Sequence, residues 1–130
     1  MKREEIREKT MEIIYQMDAV GNFDPDSLSL MDENKNIINK KKARMVLDEI
    51  SSHLSEIDEL ISSTLEGWTM DRLSKVDLAI LRLAVCEMKY LDDIPISVTI
   101  NEAVNLAKKY SGERSYAFIN SLLAKISKEL

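Results

Sequence analysis

The sequence predicts an all-α protein with a single domain. Glycine and proline are scarce, at 3 and 2 residues in a chain of 130, so few turns are expected to interrupt the structure. Aromatic residues make up only 5%, which is low for a β-sandwich. Apolar residues instead recur at helical spacing in several long segments. With 45% hydrophobic residues, a chain of this length is expected to bury about two-thirds of its unfolded surface in one core.

The first half of the chain is predicted to form one helix over about 3–20, a short helix within 25–31 and a long helix over about 38–65. Gly21 and Gly67 are expected to end the two long helices, because glycine tolerates the left-handed conformation that follows a helix. The long helix has a sustained apolar stripe at the 3.6-residue period. The residues expected to face the core from the first helix are Ile6, Thr10, Ile13, Met17 and Val20.

The second half begins with two capping signals. Thr69 is expected to cap a short turn that ends at Leu73, and Ser74 with Asp77 forms a Ser-x-x-Asp start. The helix that follows, over about 76–88, has only three charged residues, so it is predicted to be central and packed on several sides.

Two further helices are predicted after this central one. Pro95 breaks the chain, and Thr99 with Glu102 has the pattern of a capping box at the start of the next helix. Gly112 is expected to end that helix, and the last helix is expected to begin at about Ser115.

Charge and processing signals restrict the function class. The formal net charge of -5 disfavours broad nucleic-acid binding, although a local basic patch is still compatible with it. The longest apolar runs are shorter than the roughly 18 residues that span a bilayer, and the charged start of the chain lacks the apolar stretch of a signal peptide. Cys86 is the single cysteine, so an internal disulfide is excluded. We therefore expect a cytoplasmic protein with no membrane partner.

The sequence contains few residues of the kinds that serve as metal ligands or catalytic groups. A structural zinc site needs four Cys or His ligands, and the chain has only His53 and Cys86. Cys86 lies in the most apolar helix, where a thiol is normally an inert small hydrophobe, and His53 is interpreted as a packed or solvated side chain. A glycine-rich phosphate loop after a strand is absent from the pattern. We expect no enzyme activity, no cofactor and no metal.

Five blocks of sequence resemble one known family, in the order in which that family has them. The blocks are Arg7, Tyr15, Gln16 and Asp18; Leu54, Glu56, Ile57, Asp58, Leu60 and Ile61; Trp68, Arg72, Leu73, Val76, Asp77, the run 79–85 and Glu87; Pro95, Val98, the runs 100–104 and 106–108, and Tyr110; and Phe118, Ile119, Asn120 and Leu123. The pattern resembles the NusB family of bacterial transcription antitermination proteins. The similarity covers nearly the whole chain and is densest after Trp68.

The resemblance implies a fold and a set of partners. It implies one domain, 1–130, of about seven helices in two small bundles, with an N-terminal half of about 1–66 and a C-terminal half of about 67–130. It implies binding to boxA-type RNA together with a small-subunit ribosomal protein, NusE. It also implies joining an RNA polymerase antitermination complex that transcribes ribosomal RNA operons.

Three alternatives stay open beside this interpretation. The first is a helical protein-interaction scaffold in which RNA binding is weakened or lost. The second is an accessory domain for ribosomal RNA methylation, which no methyl-donor motif in the chain supports. The third is an enzyme in its own right, for which the sequence offers no plausible catalytic set. The oligomeric state is also open, and a homodimer is one of the partners considered.

Family position also implies the RNA-binding residues. Lys2, Arg3 and Arg7 correspond to a basic arm at the start of the chain, where arginine suits phosphate and stacks on bases. Tyr15 and Phe118 are the aromatic candidates for stacking on unpaired bases. The structural alternatives are that Phe118 is a core residue and that Tyr15 is a half-buried packing residue.

For the protein partner, the resemblance implies Asp77. A carboxylate at that position can pair with a basic ribosomal protein, or it can stabilise the N-terminus of its own helix.

Three glutamates interrupt the basic arm, and the last block has Ala117, Ser121 and Ala124 where the family commonly has Lys, Gly and Asp. We expect these departures to weaken phosphate binding. The basic run 40–44 is interpreted as a solubilising helix start and as a minor candidate for an additional phosphate contact.

Overall fold

The computed structural model describes residues 1–67 and 69–130. Its α-helices in chain order are α1 (Arg3–Val20), α2 (Asp32–Ile38), α3 (Lys41–Thr64), α4 (Lys75–Tyr90), α5 (Ile96–Tyr110) and α6 (Glu113–Ser127), with short 3-10 helices at Pro25–Leu28 and Met70–Arg72. The described residues form no strand, and the predicted all-α class is confirmed. Among them, no helix combines the length and the apolar character needed to cross a membrane. Trp68, which the resemblance includes, lies outside the described residues.

Helix α4 is the centre of the fold, as its apolar sequence predicted. Every residue from 77 to 87 is buried, and α4 packs against α1, α3, α5 and α6. Its start is also as predicted, because the Ser74 side chain accepts a hydrogen bond from the backbone N–H of Asp77 at 3.0 Å.

Helix α1 buries a wider face than its sequence predicted. Val20, predicted to face the core, is 61% exposed, whereas Met11, which is not among the residues predicted to face the core, is 2% exposed. The reason is that α1 packs against α4 and also contacts α2 and α3, so side chains on two sides of the helix are covered.

Helix α2 was not predicted, because its sequence is polar. It is held by a pair of side-chain amides: Asn34 Nδ2 donates to Gln16 Oε1 at 2.8 Å, and Gln16 Nε2 donates to Asn34 Oδ1 at 3.3 Å. Asn34 is 6% exposed, so this pair satisfies polar groups within the packed structure. The end of α2 also buries Ile38, which the sequence placed at the start of the long helix.

Helix α3 is long, as predicted, but it begins at Lys41 and bends at His53. The backbone of His53 is non-helical, with φ -126° and ψ 24°. Its ring stacks on Tyr90 with centroids 4.4 Å apart, and its nitrogens lie 3.3 Å from carboxylates of Glu49 and Glu56. The His53 side chain is thus packed on one side and 34% exposed, which agrees with its interpretation as a packed or solvated side chain.

Helix α5 begins at Ile96, one turn before the predicted capping box. Thr99 is therefore inside the helix, where it is 1% exposed and its hydroxyl donates to Glu87 Oε1 at 3.1 Å. The prediction that Thr99 caps α5 is wrong, because its hydroxyl satisfies a buried carboxylate. Gly112 follows the end of α5 as predicted, with φ +105°, and α6 begins immediately after it.

An arginine of α4 connects the two halves of the chain. The side chain of Arg82 is 7% exposed and binds Asp58 of α3 through two hydrogen bonds, at 2.9 and 3.0 Å. A third nitrogen lies 3.3 Å from a carboxylate oxygen of Asp18 on α1, and the ring of Phe23 lies 5.0 Å from the guanidinium carbon. The contacts of α4 thus hold both halves in one packed unit.

Candidate nucleic-acid interface

The C-terminal end of α5 lies against α1. Lys109 Nζ is 2.6 Å from Glu8 Oε1, and the Tyr110 hydroxyl donates to Glu8 and, at 3.3 Å, to Glu12. The hydrogen bond from Lys109, and then that from Tyr110, holds the pKa of Glu8 below its ordinary value. Burial and the Glu8 acceptor raise the pKa of Tyr110, so the phenol stays protonated at neutral pH.

Tyrosine rings and lysine side chains alternate around the turn between α5 and α6. Lys109 Nζ lies 5.6 Å from the centroid of the Tyr110 ring, which is 38% exposed. Lys108 Nζ lies 4.9 Å from the centroid of the Tyr116 ring, in the first turn of α6. Both distances allow a cation–π attraction, so the lysines also stabilise the rings in place.

Tyr15 adds a third ring on the neighbouring helix. It is 41% exposed and follows Glu8 and Glu12 by seven and three residues. Residues at these spacings share one face of a helix, so Tyr15 lies on the side of α1 that contacts the end of α5.

One side of α6 also carries aromatic and basic side chains. Arg114, Phe118 and Lys125 are spaced by four and seven residues, which places them on one side of the helix. Arg114 is exposed and has no ion pair within the described part of the chain. Phe118 is half-buried and lines a cavity of about 210 Å³ with Leu65 and Lys125.

These residues surround the α5–α6 turn, and we call them together the α5–α6 turn surface; Tyr116, two residues from Arg114 and from Phe118, lies on the other side of α6. Its members are Tyr15, Lys108, Lys109, Tyr110, Arg114, Tyr116 and Phe118. Aromatic rings stack on unpaired bases, and lysine and arginine neutralise phosphates. The arrangement is therefore suited to a single-stranded nucleic acid.

Comparison with known proteins gives the family. A family model described as the NusB family matches residues 4–128. The chain belongs to the NusB family. The transcription antitermination protein NusB of Listeria monocytogenes serotype 4b is 42% identical over 132 residues, covering 99% of this chain and 98% of that protein.

Solved structures of NusB proteins have the same fold. NusB of T. maritima matches with a TM-score of 0.82 at 37% identity, covering 99% of this chain and 92% of that one. A second structure, of the antitermination factors NusB and NusE in complex with dsRNA, matches with a TM-score of 0.82 at 28% identity and covers 100% of both chains.

NusB proteins are antitermination factors rather than enzymes. Cys86 is fully buried, with Sγ 3.6 Å from the carbonyl oxygen of Val46. Burial raises the pKa of its thiol to about 12, so the thiolate does not form at neutral pH. Within the described ranges, no group of three or more metal-binding side chains comes together.

Lys2 and Arg3, the start of the basic arm that the NusB resemblance implied, are exposed at the start of α1. Arg3 precedes Tyr15 by twelve residues, about 18 Å along the helix, and it lines a groove with residues at the start of α5. An RNA contact of either cation stays a prediction.

Arg7 lies inside an ion-pair network. Its side chain is 9% exposed, its Nε donates to Glu87 Oε2 at 2.9 Å, and a second nitrogen lies 3.6 Å from Glu102. The guanidinium thus joins α1 to α4 and α5. These contacts occupy the group that the NusB resemblance assigned to RNA, so we leave Arg7 out of the surface.

Asp77 is also an internal residue of this NusB fold. It is 7% exposed, and its Oδ2 accepts a hydrogen bond from the Ser115 hydroxyl of α6 at 3.0 Å. Its position in the first turn of α4 places the negative charge near the positive end of the helix dipole. The implied contact with a protein partner stays a prediction.

Five surface residues were missed as site candidates: Lys108, Lys109, Tyr110, Arg114 and Tyr116. Their signal is present in the sequence, since residues 108–116 read Lys-Lys-Tyr-Ser-Gly-Glu-Arg-Ser-Tyr and alternate cations with aromatics across a glycine turn. The pattern crosses from one helix to the next, so periodicity within either helix does not reveal it.

Proposed function

We propose that this protein is an antitermination factor that binds boxA-type RNA through the α5–α6 turn surface, together with the small-subunit ribosomal protein NusE. In this role it joins the RNA polymerase antitermination complex and promotes processive transcription of ribosomal RNA operons. The observation that carries the proposal is the grouping of exposed tyrosines with cations at one helix turn. The similarity to a NusB–NusE complex with RNA supports the choice of partners. Action on transcripts implies a cytoplasmic location.

The small positive charge of the α5–α6 turn surface limits its affinity for RNA. Lys108 and Arg114 supply two cations in a chain of net charge -5, since Lys109 is already paired with Glu8. For single strands the slope of log K against log salt is about -0.7 per neutralised phosphate, so two contacts predict a slope of about -1.4. We therefore expect moderate affinity for RNA alone and tighter binding when NusE is present.

A second candidate function is a protein scaffold with weakened RNA binding. The observation that favours it is the pair of carboxylates, Glu8 and Glu12, that accept hydrogen bonds from Tyr110. Negative charge at this point repels phosphate, and the scaffold role would need only the protein contacts.

The test is fluorescence anisotropy of a labelled boxA-type RNA titrated with the full chain, with and without NusE, at low and moderate salt. A scrambled RNA and a duplex of the same sequence serve as controls. The RNA-binding proposal expects selective binding that tightens with NusE, prefers the unpaired strand and falls with salt. Binding without sequence preference, even with NusE present, would overturn it and leave the scaffold role.

Variants connect the binding to the surface. Loss of a stacking ring costs roughly 1–3 kcal/mol per base, so Tyr15→Ala is expected to weaken RNA binding by at least about fivefold. Arg114→Gln is expected to reduce the salt slope by about 0.7. Lys35→Gln, an exposed lysine of α2, is the matched control and should leave both quantities unchanged. Equal effects of Arg114→Gln and Lys35→Gln would count against the surface.

A further inference from the structure

A groove lies at the end of the molecule where α1, α3 and α5 begin. Its volume is about 460 Å³, within the range typical of ligand pockets. Its apolar lining comes from the starts of α1 and α5, from α3 and from the segment after α4. These lining residues are Ile6, Val46, Leu91, Ile94 and Val98.

The groove leaves apolar side chains in solvent. Val98 is 42% exposed, and Ile94 is only partly buried, although both belong to its walls. Apolar surface that stays open in a concave site gains free energy when another apolar group covers it.

The lining of the groove has a small positive excess. Arg3, Arg7 and Lys42 line it against two carboxylates, and Arg7 is paired with Glu87. Lys42 is paired with Asp93 at 2.5 Å. Arg3 has no ion pair in the part of the chain that the structure describes, so the rim has a positive excess that complements a carboxylate.

We propose that this groove binds a short segment of a partner protein in which aliphatic side chains are flanked by acidic residues. The aliphatic side chains enter the groove and cover Val98 and Ile94, and a carboxylate pairs with Arg3. An RNA strand fits less well, because none of the lining side chains is aromatic and stacking on bases needs such a ring.

The groove lies apart from the α5–α6 turn surface, although its rim residue Arg3 is also one of the RNA contacts that the family resemblance implies. Val98 precedes Tyr110 by twelve residues of α5, about 18 Å along the helix axis. Asp77, the residue implied to contact NusE, lies at the opposite end of α4 from Leu91. The proposal goes beyond the RNA-binding function and does not depend on it.

The test begins with a displayed library of random linear peptides selected on the immobilised full chain. The proposal expects enriched peptides that combine aliphatic and acidic residues. Each is then synthesised and titrated by fluorescence anisotropy against the wild type and variants. Replacing the acidic residues of a selected peptide by lysine should weaken its binding by about tenfold or more.

Two valine variants form the matched pair. Val98→Asp removes an aliphatic contact and adds a repelling charge, so it should weaken peptide binding by at least about tenfold. Val20→Asp makes the same change at an exposed valine outside the groove and should leave binding unchanged. Both sites are exposed, so circular dichroism should show both variants folded. Arg3→Gln tests the rim and should also weaken binding.

Several results would overturn the proposal. They are a selection without enrichment, enriched peptides that lack acidic residues, and peptides that bind Val98→Asp as tightly as wild type. A dimer in analytical ultracentrifugation that Val98→Asp dissociates would assign the groove to a second copy of the chain instead. Loss of boxA-type RNA binding by Val98→Asp would assign it to RNA. Because RNA binding is measured separately with the Tyr15→Ala variant, failure of either proposal is recognised independently.

Discussion

Arg7 shows how the surroundings of one residue decide its role. A guanidinium at the start of a basic helix suits phosphate, but here it pairs with Glu87, which is also bound by Thr99. The Arg7 and Glu87 side chains are 9% and 6% exposed. A carboxylate this buried needs its partner, because a lone buried charge is costly.

We predict that Arg7→Ala destabilises the fold by about 3 kcal/mol, because it leaves Glu87 buried without its countercharge. Urea unfolding followed by circular dichroism measures the change. Lys9→Ala removes an exposed pair with Glu12 and should change stability by less than about 0.5 kcal/mol. If Arg7→Ala keeps full stability but loses RNA binding, Arg7 contacts RNA as the family resemblance implied.

We predict that Cys86 is unreactive in the folded protein. Burial and a thiol pKa raised to about 12 leave little thiolate at pH 8. Labelling with iodoacetamide should be slow in buffer and rapid in guanidinium chloride, because it requires unfolding. Ser52→Cys provides an exposed thiol for comparison. Rapid labelling of Cys86 under native conditions would contradict the buried position.

At the scale of elements, helix starts decide how the functional residues are presented. The Ser74 cap sets where α4 begins, and so which residues face α1, α3, α5 and α6. The positive φ of Gly112 lets α6 begin directly after α5, which brings Lys108 to the ring of Tyr116.

We predict that Ser74→Ala destabilises the protein by about 1 kcal/mol, because the backbone N–H of Asp77 loses its acceptor. Thermal unfolding is the measurement. Ser52→Ala, at an exposed position within α3, is the control and should be neutral or slightly stabilising, since alanine favours helix interiors. Equal effects of the two substitutions would show that the cap contributes nothing.

At the scale of the whole molecule, the two halves share one core. Arg82 of the C-terminal half binds Asp58 and Asp18 of the N-terminal half, and α4 packs against helices of both. A division into two bundles within one domain stays our expectation. This division describes which residues belong to each half of the sequence, and it is not a claim that either half folds by itself.

We predict that the halves unfold together. The calorimetric and van't Hoff enthalpies of unfolding should agree, since burial shared between the halves couples them. Arg82→Met should lower the stability of the whole molecule, with Arg72→Met at an exposed position as its control. Two separate transitions in the wild type would mean that each bundle is a folding unit of its own.

The candidate site could be predicted only in part from the sequence. The exposed Tyr15 was predicted from family position, and Phe118 was found half-buried, between the two roles considered for it. The lysines and tyrosines of residues 108–116 were missed, because they act as a group only once the turn folds α6 back beside α5. The apolar groove could not be predicted from the sequence either, because Arg3 and Lys42 line the same groove only in the folded chain.

The sequence by itself determined the helical class, the central position of α4 and its serine cap, because these depend on residues close together in the chain. Only the tertiary structure decided the roles of Arg7 and Thr99, the existence of α2 and the burial of Met11. Each depends on partners from other elements: Arg7 and Glu87 are 80 positions apart, and Asn34 of α2 pairs with Gln16 of α1. Local propensity cannot encode such contacts, because the free energy of a buried charge or amide depends on which group the fold places beside it.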